Sequence, residues 1–117
     1  MEFEISLNDL KFYAYHGYFE EERRLGNEFI VNLSVFVPLA KEMEHDELEY
    51  TVSYADLFEI VRIEMMKPCK LLETITLNIS KVIKHKFPMV SRGVIRIEKV
   101  RPPIPLMLGS ATVSLTF

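Results

Sequence analysis

Four side chains with useful chemistry interrupt the apolar and polar patterns of this 117-residue sequence. The first is Lys99, which continues the alternation of Ile95 and Ile97 along a predicted strand and is therefore expected on the inward face. Lysine is among the least buried residue types, so an inward position is unusual. Partial burial would suit its amine to proton transfer. The alternative is a strand-end lysine that extends its amine into solvent.

The other three side chains also allow two interpretations. Glu73 follows Leu72 at the start of a predicted helix, where a carboxylate stabilises the positive helix end. It could instead accept two hydrogen bonds from the ring N–H and exocyclic amine of a pterin or guanine. Glu22 lies in a charged run over residues 20–24 that is typical of a solvated loop, and the pattern does not choose among three glutamates. Tyr54 begins the apolar stripe of another helix, as a core aromatic would.

Other site chemistries have less support. Cys69 is the only cysteine, and although Lys67 and Lys70 could lower its pKa, a loop cysteine without a role is the simpler interpretation. None of the histidines has metal-binding spacing: His16, His45 and His85. The sequence has neither a Gly-rich phosphate loop nor a GxSxG motif. We therefore expect no metal site.

Composition narrows the class of protein. The chain has 14 Lys and Arg against 17 Asp and Glu, a net charge of -3, so it lacks the basic excess of a nucleic-acid-binding protein. No apolar run approaches the ~18 residues that span a bilayer. The acidic, alternating N-terminus does not resemble a signal peptide. These features predict one cytoplasmic domain over residues 1–117, with neither a membrane nor a nucleic acid as its partner.

Hydrophobic periodicity predicts the elements that position these residues. Alternation predicts strands over residues 3–7 and 29–37, joined by an elaborated connection that includes residues 13–26. A capping box at residues 53–56 begins a helix that ends before Pro68.

A second helix carries an apolar stripe from Leu72 to Ile83, and two strands follow Gly93 and Gly109. The order β-β-α-α-β-β predicts an α+β fold, a four-stranded antiparallel sheet with two helices on one face. So short a chain has little material for a deep pocket of its own.

Five motifs in this order resemble the bacterial dihydroneopterin aldolase family of the folate pathway. They are YAYHG at 13–17, ERRLGNEF at 22–29, TVSY at 51–54, LLE at 71–73, and Lys99 ahead of PPIP at 102–105. The resemblance extends from about Leu7 to Pro105. It implies the T-fold, whose element order agrees with the predicted one.

The resemblance implies a retro-aldol reaction in folate biosynthesis. 7,8-Dihydroneopterin would yield 6-hydroxymethyl-7,8-dihydropterin and glycolaldehyde, with epimerisation of the 2′-carbon as a side activity. The dihydropterin ring would accept the electrons, so neither a Schiff base nor a metal or other cofactor is expected. The resemblance also implies a homo-oligomer, a tetrameric ring that stacks into an octamer, with each active site between neighbouring subunits.

The resemblance also assigns three catalytic residues. Lys99, acting with an ordered water, would remove the proton of the 2′-hydroxyl. Tyr54 of the adjoining subunit would protonate the enol-like intermediate on carbon. Glu22, selected by its four-residue step to Gly26, would orient the substrate hydroxyls and Lys99.

Four further residues are implied to bind the pterin. Glu73 would hold its exocyclic amine and ring N–H, and the backbones of Leu72 and Val52 would bind around the ring. Ser53 stands where the family commonly has Asp or His, which is expected to alter contacts near the pterin.

Two other functions compete with the aldolase. A dihydroneopterin triphosphate 2′-epimerase of the same fold would need a cationic patch, for which Arg23 and Arg24 are the nearby residues. A non-catalytic pterin-binding oligomer should lose the lysine or the tyrosine, and this sequence retains both. A zinc enzyme of the same fold would need a histidine cluster.

Overall fold

A computed structural model describes all 117 residues. Its strands are β1 (Glu2–Ala14), β2 (Asn27–Pro38), β3 (Arg92–Lys99) and β4 (Ala111–Thr116). Its α-helices are α1 (Glu20–Leu25), α2 (Tyr54–Met65) and α3 (Leu72–Lys86). Two short 3-10 helices, Lys41–His45 and Leu48–Tyr50, lie between β2 and α2. The strands form one antiparallel sheet in the order β1-β2-β3-β4, which confirms the predicted α+β fold.

The hydrophobic core lies between the sheet and the pair of long helices. The sheet contributes the buried alternate residues of its central strands: Phe29, Val31, Leu33, Val35, Val37, Ile95 and Ile97. The helices contribute one buried stripe each: Leu57, Ile60, Val61 and Met65 from α2, and Ile75, Ile79 and Ile83 from α3. Burying each such side chain contributes about 1.5–3 kcal/mol. The core therefore fixes how both ends of the helix pair lie over the sheet.

Strand β1 is longer than its sequence pattern predicts. Tyr13 and Ala14, expected in the connection, pair with β2 at Glu28 and Asn27. The pairing register shifts between Leu7 and Leu10, and a bulge there moves the apolar residues from odd to even positions. Because the apolar residues change parity at the bulge, simple alternation does not predict that the strand continues to Ala14.

Helix α1 lies within the elaborated connection predicted over residues 13–26 and was not predicted as a helix. Its six residues carry acids in the first turn and bases in the last, which suits the helix dipole. None of the six is buried, so no apolar periodicity marks the helix in the sequence. Gly26, with φ at 79°, ends it in a conformation that favours glycine.

The long helices begin as predicted and bury most of the predicted stripes, although Tyr54, Phe58 and Val82 are exposed. Ser53 caps α2, accepting a hydrogen bond from the Asp56 N–H at 3.4 Å. Tyr54 is 67% exposed, so its interpretation as a core aromatic is wrong. In α3, Thr76 and Ser80 are buried because their hydroxyls donate to carbonyls one turn earlier. None of the helices combines the length and apolarity needed to cross a bilayer.

Candidate active site

Lys99 and Glu22 form the polar centre of the candidate site. Lys99 Nζ donates to Glu22 Oε2 at 2.6 Å, and the two side chains are only 13% and 12% exposed. Lys99 ends β3 opposite Phe29, whereas Glu22 comes from α1. The structure thus brings together two residues that lie 77 positions apart. A charge-assisted bond between shielded groups fixes the amine in place, as a proton-transfer residue requires.

The loop before α1 places Glu22 against the lysine. Arg23 donates from Nη1 to the carbonyls of Gly17 and Tyr18, at 2.8 and 2.7 Å, and so holds the loop to the helix. A Cβ added at Gly17 would overlap with the Glu22 side chain. Glycine therefore leaves the room in which the Glu22 carboxylate lies.

His16, considered above only as a metal ligand, is completely buried beside this pair. Its Nδ1 accepts the Cys69 N–H at 3.1 Å, and its ring packs edge-on against Phe29 with centroids 5.2 Å apart. Burial lowers the pKa of His16, and the positive charge of Lys99 adds to this, although the nearby Met65 carbonyl opposes it. The imidazole is thus held neutral. Its position inside the motif at 13–17 was the available signal in the sequence.

The start of α3 adjoins the same region of the molecule. The Gly17 N–H donates to the Cys69 carbonyl at 2.9 Å, three residues before Leu72. Leu72 is buried and Glu73 is exposed in the first turn, where no side chain caps the helix. An exposed carboxylate beside free backbone N–H groups can bind a ligand edge that presents both donors and acceptors.

Cys69 itself does not resemble a nucleophile. Burial raises the pKa of the Cys69 thiol, the charge of Glu64 adds to this, and Lys67 opposes it. The lowering of the Cys69 pKa by Lys67 is therefore outweighed. This agrees with the simpler interpretation of a loop cysteine. No group of three or more His, Cys, Asp or Glu side chains is arranged to hold a metal ion.

We define the lysine cluster as Glu22, Leu72, Glu73 and Lys99, and the tyrosine cluster as Val52, Ser53 and Tyr54. The tyrosine cluster lies where α2 begins, with Val52 buried and Tyr54 exposed.

The two clusters lie at opposite ends of the helix pair. Ser53 shares a cleft of about 350 Å³ with Lys86 and Phe87, at the end of α3 remote from Glu73. Helix α3 has 15 residues, a length of about 22 Å at the usual rise per residue.

The length of helix α2 independently indicates a comparable separation. The helix runs from Tyr54 to Met65, whose carbonyl lies near His16. Its 12 residues place Tyr54 about 17 Å from that end of the helix. One chain therefore does not bring its own Tyr54 to its own Lys99.

A large cleft elsewhere on the chain does not unite the clusters either. It measures about 710 Å³ and lies beside α1, with Tyr13, Phe19 and Arg101 among its walls. Of the seven predicted site residues it includes only Glu22. Its size alone therefore does not identify it as the active site.

Comparison with known proteins decides the family. Residues 5–116 match the family model described as dihydroneopterin aldolase. The chain belongs to the dihydroneopterin aldolase family. A dihydroneopterin aldolase of Bacillus subtilis is 34% identical over 113 residues, covering 96% of this chain and 94% of the relative. Dihydroneopterin aldolase 1 of Arabidopsis thaliana is 37% identical over 102 residues, covering 86% of this chain and 68% of the relative.

Solved structures with dihydroneopterin aldolase names share the fold. The E. coli enzyme in complex with neopterin superposes with a TM-score of 0.84 at 16% identity, covering 97% of both chains. The Burkholderia thailendensis enzyme bound to guanine gives 0.76 at 19% identity, covering 99% of this chain and 90% of the other. Together with the family match, these findings confirm the predicted family, the T-fold and the aldolase activity.

Proposed function

We propose that this dihydroneopterin aldolase cleaves 7,8-dihydroneopterin with Lys99 as its base and Tyr54 as its acid. The observation that carries the proposal is the shielded pair of Lys99 and Glu22, joined at 2.6 Å. Glu22 holds the amine at one point, and an ordered water beside it completes the path for the proton. The substrate must therefore lie with its side chain toward this pair.

The reaction breaks the bond between C1′ and C2′. In its neutral form, after releasing its own proton to solvent, Lys99 takes the proton of the 2′-hydroxyl through the water. C2′ becomes the aldehyde carbon of glycolaldehyde, and the bonding electrons enter the conjugated dihydropterin ring. The resulting enol-like carbon C1′ is then protonated by the Tyr54 phenol, which gives 6-hydroxymethyl-7,8-dihydropterin. The proton taken from the hydroxyl restores the phenol through water. The ring supplies the electron sink, so the steps use no Schiff base, metal or cofactor.

The carboxylate of Glu73 anchors the other end of the pterin. It is exposed at the start of α3, where it can accept the ring N–H and the exocyclic amine together. The ligands named for two structural neighbours, neopterin and guanine, both present such an edge. The backbone of Leu72, and that of Val52 with Ser53 beside it, enclose the ring. A small-molecule pterin is therefore the proposed partner, and neither a nucleic acid nor a membrane is.

We propose further that each site combines two chains. The helix lengths separate Tyr54 from the lysine cluster within one chain, and a neighbour in a ring can bring its tyrosine cluster to the vacant side. Strands β1 and β4 are the two edges of the sheet through which copies can join. We expect a tetrameric ring stacked into an octamer, a single domain per chain, and a cytoplasmic location.

Incubation of the purified protein with 7,8-dihydroneopterin in the presence of a chelator tests the activity. The expected products are glycolaldehyde and 6-hydroxymethyl-7,8-dihydropterin in equal amounts. Absence of both products without chelator would overturn the aldolase. Their loss on adding chelator alone would instead overturn the metal-free mechanism.

Epimerisation of the 2′-carbon is the second proposed activity, since re-addition of glycolaldehyde from its other face would invert that carbon. The same incubation should release a minor amount of the 2′-epimer. The triphosphate epimerase alternative is less well supported, because the Arg23 guanidinium is engaged by two backbone carbonyls and only the exposed Arg24 is left of its cationic patch. A non-catalytic pterin-binding oligomer would leave dihydroneopterin uncleaved.

A further inference from the structure

We propose that His16 is a positioning residue, which ties the loop carrying Glu22 to the segment that leads into Glu73. The inference rests on the function proposed above, because both tied residues belong to its active site. His16 itself contacts the backbone and Phe29, and it is assigned no contact with the substrate.

Two consecutive residues bind both backbone groups of Cys69. The Cys69 N–H donates to His16 Nδ1 at 3.1 Å, and the Cys69 carbonyl accepts the Gly17 N–H at 2.9 Å. Cys69 lies in the short link between α2 and α3, three residues before the helix that carries the pterin anchor. The two bonds therefore set the position of the α3 start relative to the loop.

The same loop also positions the pair of Lys99 and Glu22. Gly17 adjoins His16 and lies directly against the Glu22 side chain. On the other side, the His16 ring packs on Phe29, the cross-strand neighbour of Lys99. A shift of His16 would therefore reach both members of the pair, as well as the start of α3.

An imidazole at this position costs free energy, because it buries a polar N–H group. Because Nδ1 accepts a hydrogen bond, the ring proton must lie on Nε2, which is fully buried and has the Met65 carbonyl nearby but makes no hydrogen bond of regular geometry. An apolar side chain would fill the space without burying an unpaired N–H. What it could not supply is the acceptor for the Cys69 N–H. This acceptor is therefore the feature that explains the residue.

Replacement of His16 by asparagine or leucine isolates the acceptor. Asparagine and leucine have side chains of nearly the same shape. Because the Asn Oδ1 would take the position of the His16 Nδ1, His16→Asn keeps an acceptor that His16→Leu lacks. His85 is exposed, and His85→Leu provides the matched control. If His16→Leu does not fold, His16→Gln is used in its place. The amide oxygen of Gln lies one bond farther from the backbone than Nδ1, so it does not match the lost acceptor.

Two readouts separate positioning from mere stability. Hydrogen–deuterium exchange of residues 66–71 should quicken in His16→Leu and stay near wild type in His16→Asn. For His16→Leu we expect kcat/KM to fall about 10- to 100-fold, as a small misplacement of reacting groups does. His16→Asn should remain within about fivefold of wild type, and His85→Leu should match wild type.

Equal exchange and equal kcat/KM in the two His16 variants would overturn the proposal. The exchange measurement needs no substrate, so it reports on the hydrogen bonds to Cys69 independently of catalysis. A wild-type protein that fails to cleave 7,8-dihydroneopterin would overturn the proposed function instead, and the exchange difference would still support the tie.

Discussion

The two ends of the helix pair differ in how far their side chains are shielded and held by hydrogen bonds. At the lysine cluster, Lys99 and Glu22 are shielded and joined at 2.6 Å, and the surrounding loop is held by Arg23 and His16. At the tyrosine cluster, Tyr54 is 67% exposed and makes no side-chain hydrogen bond in the chain. A folded chain thus presents one preorganised half of a site and one unpartnered half. This difference supports the proposal that two chains together enclose the substrate, since a protein of 117 residues has little material for a deep pocket of its own.

Removal of the proposed base at the lysine cluster should give the largest loss of activity. We expect Lys99→Ala to lower kcat about 10³-fold while KM changes little, because the amine acts on the transition state. Steady-state kinetics with 7,8-dihydroneopterin measure both constants, and the exposed Lys70→Ala provides the matched control. A parallel loss of pterin affinity would mean that Lys99 binds substrate and does not act as the base.

Glu73→Ala should weaken binding and largely spare turnover. Loss of two charge-assisted hydrogen bonds predicts an increase of about 10- to 100-fold in the Kd for the pterin. Calorimetric titration with a pterin product measures it, and the exposed Glu42→Ala controls for lost negative charge. If Glu73→Ala lowered kcat as much as Lys99→Ala does, the division between anchor and base would fail.

A methyl group at Gly17 should disturb only the preorganised end. Because the added Cβ would overlap with the Glu22 side chain, we expect Gly17→Ala to displace the carboxylate and lower kcat/KM about 10-fold. Gly109 meets nothing closer than 3.9 Å, so Gly109→Ala is the control that should keep full activity. Unchanged kinetics in Gly17→Ala would show that the placement of Glu22 by the loop does not matter.

The smallest expected effect is a pH dependence of stability from His16. Its pKa is lowered in the folded protein, by burial first and then by Lys99, so below about 6.5 the unfolded chain binds a proton that the folded chain does not. The free energy of unfolding should therefore decrease as the pH falls from that value, by at most about 1.4 kcal/mol per pH unit.

Denaturant unfolding between pH 7 and pH 5 measures this dependence. The groups that act on the imidazole are Lys99, with the Glu22 carboxylate bound to it, the Met65 carbonyl and the Cys69 N–H. His16→Asn should lose this part of the slope, since its side chain does not titrate. A slope identical to wild type would mean that His16 is not held neutral.

The fold could be predicted from the sequence wherever apolar periodicity is regular. The long strand β2 and helices α2 and α3 were predictable for this reason, since each buries one regular face. The end of β1 was missed because the bulge before Leu10 changes parity, and α1 was missed because it buries nothing. The local pattern of apolar residues therefore predicts neither the end of β1 nor helix α1.

The candidate site was predictable in part. Burial of Lys99 follows from strand parity, but its pairing with Glu22 depends on a contact across 77 positions that only the assembled fold creates. The motif at 13–17 contains His16, but the role of this residue was not predictable because its partner is a backbone N–H distant in the sequence. The separation of Tyr54 from Lys99 likewise required the lengths and packing of α2 and α3.

The most direct test of a site shared between chains is complementation between two inactive variants, Lys99→Ala and Tyr54→Phe. In a mixed oligomer, the Lys99 of one variant can meet the Tyr54 of the other. Random mixing predicts that about one quarter of sites regain both residues. Co-expressed chains should therefore recover about a quarter of wild-type kcat, whereas each variant alone stays inactive. No recovery in verified mixed oligomers, or full activity in a strictly monomeric wild-type protein, would contradict the shared site.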